Sequence, residues 1–233
     1  MARRTKTTGS IRAARAEAEA DADARKQVVD AALRMSLLGL APGRSGNVSR
    51  RWRDGMLITP SGMAYAAIEA CDVVYVGPDG EVAAGQRKPS SEWQFHLFAY
   101  RARPEMHAVV HTHSVNATVL ACAHKPIPAF HYMVAVAGGA DIPIVPYATF
   151  GTEALARHVV DGLSQRNACL MANHGAIAVG ATLEAALDLA AEVESLAEQY
   201  IKVLTLGAPH ILSDSEMADV LARFQAYGQK AQS

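Results

Sequence analysis

Apolar positions along this chain switch between two spacings, and the switches mark its elements. From 26 to 40 a stripe of Val28 or Val29, Ala32, Leu33 and Leu37 recurs at helical intervals, and Gly39 with Pro42-Gly43 stops it. A glycine-bearing loop, 43–49, follows. Residues 49–52 and 56–59 flank Asp54-Gly55, which predicts a hairpin. Pro60-Ser61-Gly62 reads as a turn. A short strand at 73–76 closes at Pro78-Asp79-Gly80. Residues 91–102 predict a helix capped by Ser90 or Ser91, with Phe95, Leu97 and Phe98 placed for burial.

The second half continues the alternation. A β-branched strand at 108–112 precedes a helix from Ser114 through Cys122. A strand at 142–145 and a helix at 153–164 come next. Strands at 168–172 and 177–179 enclose Asn173-His174-Gly175. A long Ala-rich helix covers 183–206, and a last helix, 216–225, is capped by Ser213 or Asp214. Helices and strands interleave, but the early hairpin argues against a purely parallel sheet. The expected fold is α/β: a three-layer αβα sandwich around a mixed, largely antiparallel sheet. One domain, 25–233, is expected behind a leader, 1–24. In that leader Arg3, Arg4, Lys6, Arg12 and Arg15 precede Glu17, Glu19, Asp21 and Asp23, which reads as a solvated segment turning helical towards its end.

Composition narrows the function classes. Of 233 residues, 50% are hydrophobic and 19% charged, with a formal net charge of −1. A disordered chain would be less apolar. No run of about 18 apolar residues predicts a membrane span, and a near-zero charge gives no general attraction to nucleic acid or anionic lipid. Cys71, Cys122 and Cys169 are odd in number and lie in apolar runs, so they read as reduced core thiols of a cytoplasmic protein. The basic start, 1–6, lacks the apolar stretch of a secretory signal.

The candidate chemistry begins at His111-Thr112-His113. Residues i and i+2 of a strand share a face, so these histidines either offer two imidazoles to one metal ion or stand half-exposed at a strand end. His174, in a tight turn between strands, and Glu92, in a helix's first turn, complete a possible Zn²⁺ site with an open position. Glu92 alone would equally be a carboxylate favoured by the helix dipole. No carboxylate follows His113 closely and helices abound, which excludes a cupin. No metalloprotease helix motif or Walker A loop is present. Ser45-Gly46-Asn47, Ser61-Gly62 and Ser90-Ser91 are small-polar turns. Each is either a cap or, if they converge, part of an anion site.

These residues fall into a familiar order. Gly46-Asn47-Val48-Ser49, MLITPSG (56–62), PSSEWQFH (89–96), VVHTHS (109–114) and Asn173-His174-Gly175 resemble the class II aldolase/adducin family. The resemblance runs from about Lys26 to Gly228. IPAFHYMVAVAGG (127–139), Ile142-Pro143, PYATFGT (146–152) and the tail 211–228 resemble its bacterial L-fuculose 1-phosphate type. That resemblance implies cleavage of a phosphorylated ketose to dihydroxyacetone phosphate and an aldehyde, by retro-aldol through a zinc-bound enediolate. It implies Zn²⁺, or Mn²⁺ or Co²⁺, on His111, His113 and His174, with Glu92 as acid/base. It implies a phosphate site at Asn47, Ser61, Gly62, Ser90 and Ser91. It also implies a cyclic C4 homotetramer with interfacial sites, in which a neighbour supplies Tyr132 and Phe150 and a C-terminal Tyr227 closes over the site.

Arg44 departs from that pattern, standing where the fuculose type has a phosphate-touching Thr. An Arg there strengthens phosphate binding, takes another anion such as a substrate carboxylate, or points to solvent. The same superfamily offers decarboxylases, a sugar-phosphate 4-epimerase and aldolases for 5-deoxy- or 5-methylthio-ribulose 1-phosphate. It also contains non-catalytic adducin-like modules, which lose the metal ligands that this sequence keeps.

Overall fold

Strand alternation builds the architecture directly. A computed structural model describes residues 8–226. In it β4 (Ala108–Thr112) is buried at every position, mid-sheet. Ala108 and Val110 pack on one face, against α1 (Thr8–Leu37), α3 (Val115–Cys122) and α5 (Leu183–Leu206). Val109 packs on the other, against α2 (Trp93–Ala102) and α4 (Glu153–Gly162). Burying each valine contributes about 1.5–3 kcal/mol. Both faces are covered, so the strands need apolar residues at every position. All six residues of β7 (Gly175–Gly180) are accordingly buried.

The other strands are β1 (Asn47–Trp52), β2 (Gly55–Ile58), β3 (Val74–Val76), β5 (Ile144–Val145) and β6 (Ala168–Met171). Their order is β3-β2-β1-β4-β7-β6-β5. Every neighbouring pair is antiparallel except β5 with β6. The expected αβα sandwich is therefore present. A last helix, α6 (Asp214–Ala226), packs on a 3-10 turn, Tyr132–Ala137. Among the described residues no helix is long and apolar enough to cross a membrane.

Several local expectations shift. Helix α1 starts at Thr8 and passes residue 24 without a break. Ala-rich sequence and i,i+4 pairs such as Arg15–Glu19 support it. Its acidic residues then reach the sheet: Asp21 accepts from Trp52 Nε1 at 3.0 Å, and Glu17 pairs with Arg53 at 2.7 Å. Arg3, Arg4 and Lys6 lie outside the described residues.

The hairpin turns on Arg53-Asp54, not Asp54-Gly55. Arg53 takes the left-handed conformation (φ 53°), while Gly55 already pairs with Trp52. Gly55 is needed on the strand, because a Cβ there would lie 2.1 Å from the Val76 carbonyl oxygen. The strand expected at 142–145 shortens, since Ile142 bridges Ile127 instead. Of the three cysteines only Cys169 is in the core; Cys71, in a 3-10 turn at Ala70–Asp72, and Cys122, the last residue of α3, are exposed.

Candidate active site

The site forms where the ends of β4 and β6 meet the start of α2. His111 is the fourth residue of β4, on the face shared with Val109, and is fully buried. His113 follows two positions on, just past the strand, where its backbone N–H donates to the Leu40 carbonyl at 3.1 Å. The β6–β7 connection carries His174. It turns tightly because Asn173 adopts φ 55°, a conformation Asn tolerates. Gly175 then lets the turn press on β4, since a Cβ there would sit 2.2 Å from the Thr112 carbonyl oxygen.

Glu92 precedes α2 and is almost entirely buried. Its Oε1 lies 2.9 Å from His174 Nε2 and its Oε2 3.3 Å from His111 Nε2. His113 Nε2 is 2.9 Å from His111 Nε2. One ligand atom from each of these four residues lies within 4.8 Å of all the others. His111 Nδ1–H donates to the Ala176 carbonyl at 2.9 Å, so Nε2 is the nitrogen turned towards the cluster.

Burial, with His111 and His174 adding to it, pushes His113 down to about 3, which keeps it a neutral imidazole. Burial alone would raise Glu92. The facing His111 and His174 outweigh it and hold the carboxyl well below the usual range. Three imidazoles beside a carboxylate form a donor set that fits a divalent cation.

The cluster opens into a cleft of about 450 Å³. One wall is the three small-polar turns. Two of them are locked side by side: Ser61 N–H donates to the Lys88 carbonyl and Ser90 N–H to the Thr59 carbonyl, each at 3.0 Å, with a bridge between Pro60 and Pro89. The third, Ser45-Gly46-Asn47, is braced by Tyr65, whose hydroxyl donates to the Gly46 carbonyl at 2.6 Å. Gly46 packs on β4; a Cβ there would lie 2.7 Å from the His111 carbonyl oxygen.

Asn47, Ser61, Gly62, Ser90, Ser91 and Arg44 thus all line one cleft with Glu92, His113 and His174. Arg44 does not simply face solvent, for its guanidinium donates to the Gly62 carbonyl at 2.8 Å. Phe150 lines the cleft of its own chain, although the sequence pairs it with Tyr132 as a neighbour's contribution. Tyr132 is not brought to this cleft. It is 50% exposed on the 3-10 turn, its ring 6.5 Å from that of Phe224 on α6. Tyr227 lies outside the described residues.

Sequence reasoning missed Tyr147 and Asn173, which also line the cleft. It further missed Ser49, His96 and Tyr100 behind Asn47. Ser49 sits two residues after Asn47 on a strand, and His96 four after Glu92 on a helix. Those are same-face spacings that single out both residues.

Comparison with known proteins identifies the family. The family profile described as Class II Aldolase and Adducin N-terminal domain matches residues 26–201. The chain belongs to that family and is an enzyme of the class II aldolase type, a metal-dependent class for which the His/Glu cluster could hold the ion. It is 53% identical over 208 residues to the 5-methylthioribulose-1-phosphate/5-deoxyribulose-1-phosphate aldolase of Rhodospirillum rubrum, covering 89% of this chain and 94% of that one. It is 48% identical to the L-fuculose phosphate aldolase of Escherichia coli strain K12, covering 87% and 94%. Among solved structures, an L-fuculose 1-phosphate aldolase superposes with a TM-score of 0.84 at 38% identity, over 87% of this chain and 96% of that one.

Proposed function

We propose that the protein cleaves a ketose 1-phosphate to dihydroxyacetone phosphate and an aldehyde. The observation that carries this reading is the convergence of His111, His113, His174 and Glu92 within 4.8 Å, at the floor of a cleft walled by three small-polar turns. On this reading His111, His113 and His174 hold Zn²⁺, with Mn²⁺ and Co²⁺ suited to the same donors. The cation supplies Lewis acidity that stabilises negative charge on the substrate's ketone oxygen.

The chain's own residues do the rest. The backbone N–H groups of Gly62 and Ser91 and the hydroxyls of Ser61, Ser90 and Ser91, with the Asn47 amide, bind the phosphate. Arg44, held beside Gly62, adds a charge-assisted contact to it. That remote grip orients the reacting carbons. Glu92 delivers the proton that completes dihydroxyacetone phosphate, and removes it in the condensation direction. Such a step contributes typically about 10²–10⁴-fold. Tyr132 handles the proton of the aldehyde-forming hydroxyl from an adjacent chain. Its exposure and its absence from the cleft of its own chain support shared sites in a cyclic tetramer. Tyr147 and Phe150 wall the side where the aldehyde leaves.

The relatives named above act on L-fuculose phosphate and on 5-deoxy- and 5-methylthio-ribulose 1-phosphates. All these ketoses share the dihydroxyacetone phosphate half, and the turns address that half. A carboxylated substrate is the second reading, because Arg44 at the anion wall suits a carboxylate as well as a phosphate. A panel of these ketose 1-phosphates and of carboxylated sugar acids, assayed for aldehyde and for CO₂, separates the two. Aldehyde with dihydroxyacetone phosphate is expected; CO₂ release without aldehyde would overturn the aldolase reading.

A further inference from the structure

Behind the cleft lies a line of polar side chains that the proposed reaction does not use. Ser49, His96 and Tyr100 are at most 2% exposed and sit between the sheet and α2. Buried polar groups of this kind are costly unless each finds a partner, and here each does. Tyr100 OH and Ser49 Oγ are 2.9 Å apart, and Ser49 Oγ is 2.7 Å from His96 Nδ1. His96 Nε2 bonds Asn47 Oδ1. Asn47 Nδ2 donates to Glu92 Oε2 at 2.9 Å.

The proton order along this line follows from its end. A carboxylate oxygen only accepts, so Asn47 turns its NH₂ to Glu92 and its carbonyl to His96. That carbonyl also only accepts, so His96 carries its proton on Nε2. Burial pushes His96 down to about 3, so the ring is neutral and its Nδ1 is an acceptor. Ser49 therefore donates to Nδ1, and Tyr100 donates to Ser49. Each donor and acceptor is fixed in a single direction, from the phenol to the carboxylate. Protonation of Glu92 at Oε1 leaves that order intact, because Oε2 remains an acceptor.

We infer that Ser49, His96 and Tyr100 are positioning residues, which lock the Asn47 amide and through it anchor Glu92 Oε2, leaving Oε1 to carry the substrate's proton. The inference rests on the reading of Glu92 as the acid/base. It separates the two oxygens of one carboxylate: Oε2 accepts from the Asn47 amide, while Oε1 lies 2.9 Å from His174 Nε2.

The test isolates proton transfer from the rest of catalysis. Exchange of hydrogen between dihydroxyacetone phosphate and D₂O, in the metal-loaded enzyme, reports that step alone. His96→Phe keeps a ring but removes both nitrogens, which frees the Asn47 amide to turn its carbonyl on Glu92. Exchange and kcat are expected to fall together by about 10- to 100-fold, with bound metal within about twofold of wild type. His96→Gln, which restores an N–H towards Asn47, recovers most of the loss. Ser49→Ala carries the same test if the Phe variant does not fold, with a drop of about 10-fold expected.

Glu92→Gln is run in parallel. If it abolishes exchange while His96→Phe and Ser49→Ala exchange normally, the positioning inference fails and the acid/base reading stands. Normal exchange in Glu92→Gln overturns both. Loss of bound metal in His96→Phe without rescue by Gln assigns the line to the metal site and also overturns the inference.

Discussion

Phe150 and Tyr132, paired by the sequence, come to rest in unlike surroundings. Phe150 closes a cleft whose floor is buried and whose walls are tied backbone to backbone. Tyr132 stands on a 3-10 turn against α6, on the opposite side of the sheet from α2 and α4. The cleft is complete in one chain as far as ligand cluster and anion turns go. The Tyr132 face is aromatic, exposed and out of reach of that cluster. On the proposed reading, one chain supplies the cation site and the grip on the anion, and Tyr132 comes from another copy.

The largest expected effect strikes the cleft itself. His113→Ala removes a ligand, so both bound metal and cleavage are expected to collapse, cleavage by on the order of 10³-fold or more given the several kcal/mol a Lewis acid supplies. Metal analysis beside the cleavage assay checks this, and activity retained at normal metal content defeats the ligand assignment. Tyr132→Phe strikes the other region. It keeps the metal and loses about 10²-fold in kcat. Co-refolding it with inactive His113→Ala subunits restores activity, since hybrid assemblies pair an intact cluster with an intact tyrosine. No regain in mixed oligomers would place Tyr132 outside the site.

Arg44→Ala tests the anion wall within the cleft. KM for the phosphorylated ketose is expected to rise about 10-fold with kcat little changed, the loss of one hydrogen bond to a charged group. Equal KM values would point the guanidinium away from substrate. The last effect is on stability. His96 stays neutral in the fold down to about 3, whereas an exposed histidine protonates near 6.5. The unfolded chain therefore binds the extra proton first, and stability falls as pH drops from 6.5 towards 3, by up to about 1.4 kcal/mol per pH unit. Urea unfolding at pH 7 and pH 5 should show this component in wild type and lose it in His96→Gln. Identical slopes would remove His96 as its source.

The sandwich was legible because β-periodicity and helix stripes survive in local sequence, as in 108–112 and 183–206. The metal cluster was legible for the same reason. Two of its histidines share a strand face by spacing alone, and the third marks a turn between apolar strands. The line behind Glu92 was harder to see, since Ser49, His96 and Tyr100 become neighbours only when β1 meets α2 across 47 residues or more of chain. The hairpin was misplaced by one residue because the constraint on Gly55 comes from β3, a strand that local turn chemistry does not reveal.

Gly46 rests on the carbonyl of His111, and Gly175 on that of Thr112. The span between the anion wall and the imidazoles is in this way a backbone dimension. A ruler made of main chain does not change length when single side chains are exchanged. On the proposed reading, redesign for a new aldehyde is best confined to the exposed Tyr147 and Phe150, while the phosphate-to-ketone reach stays as the sheet has set it.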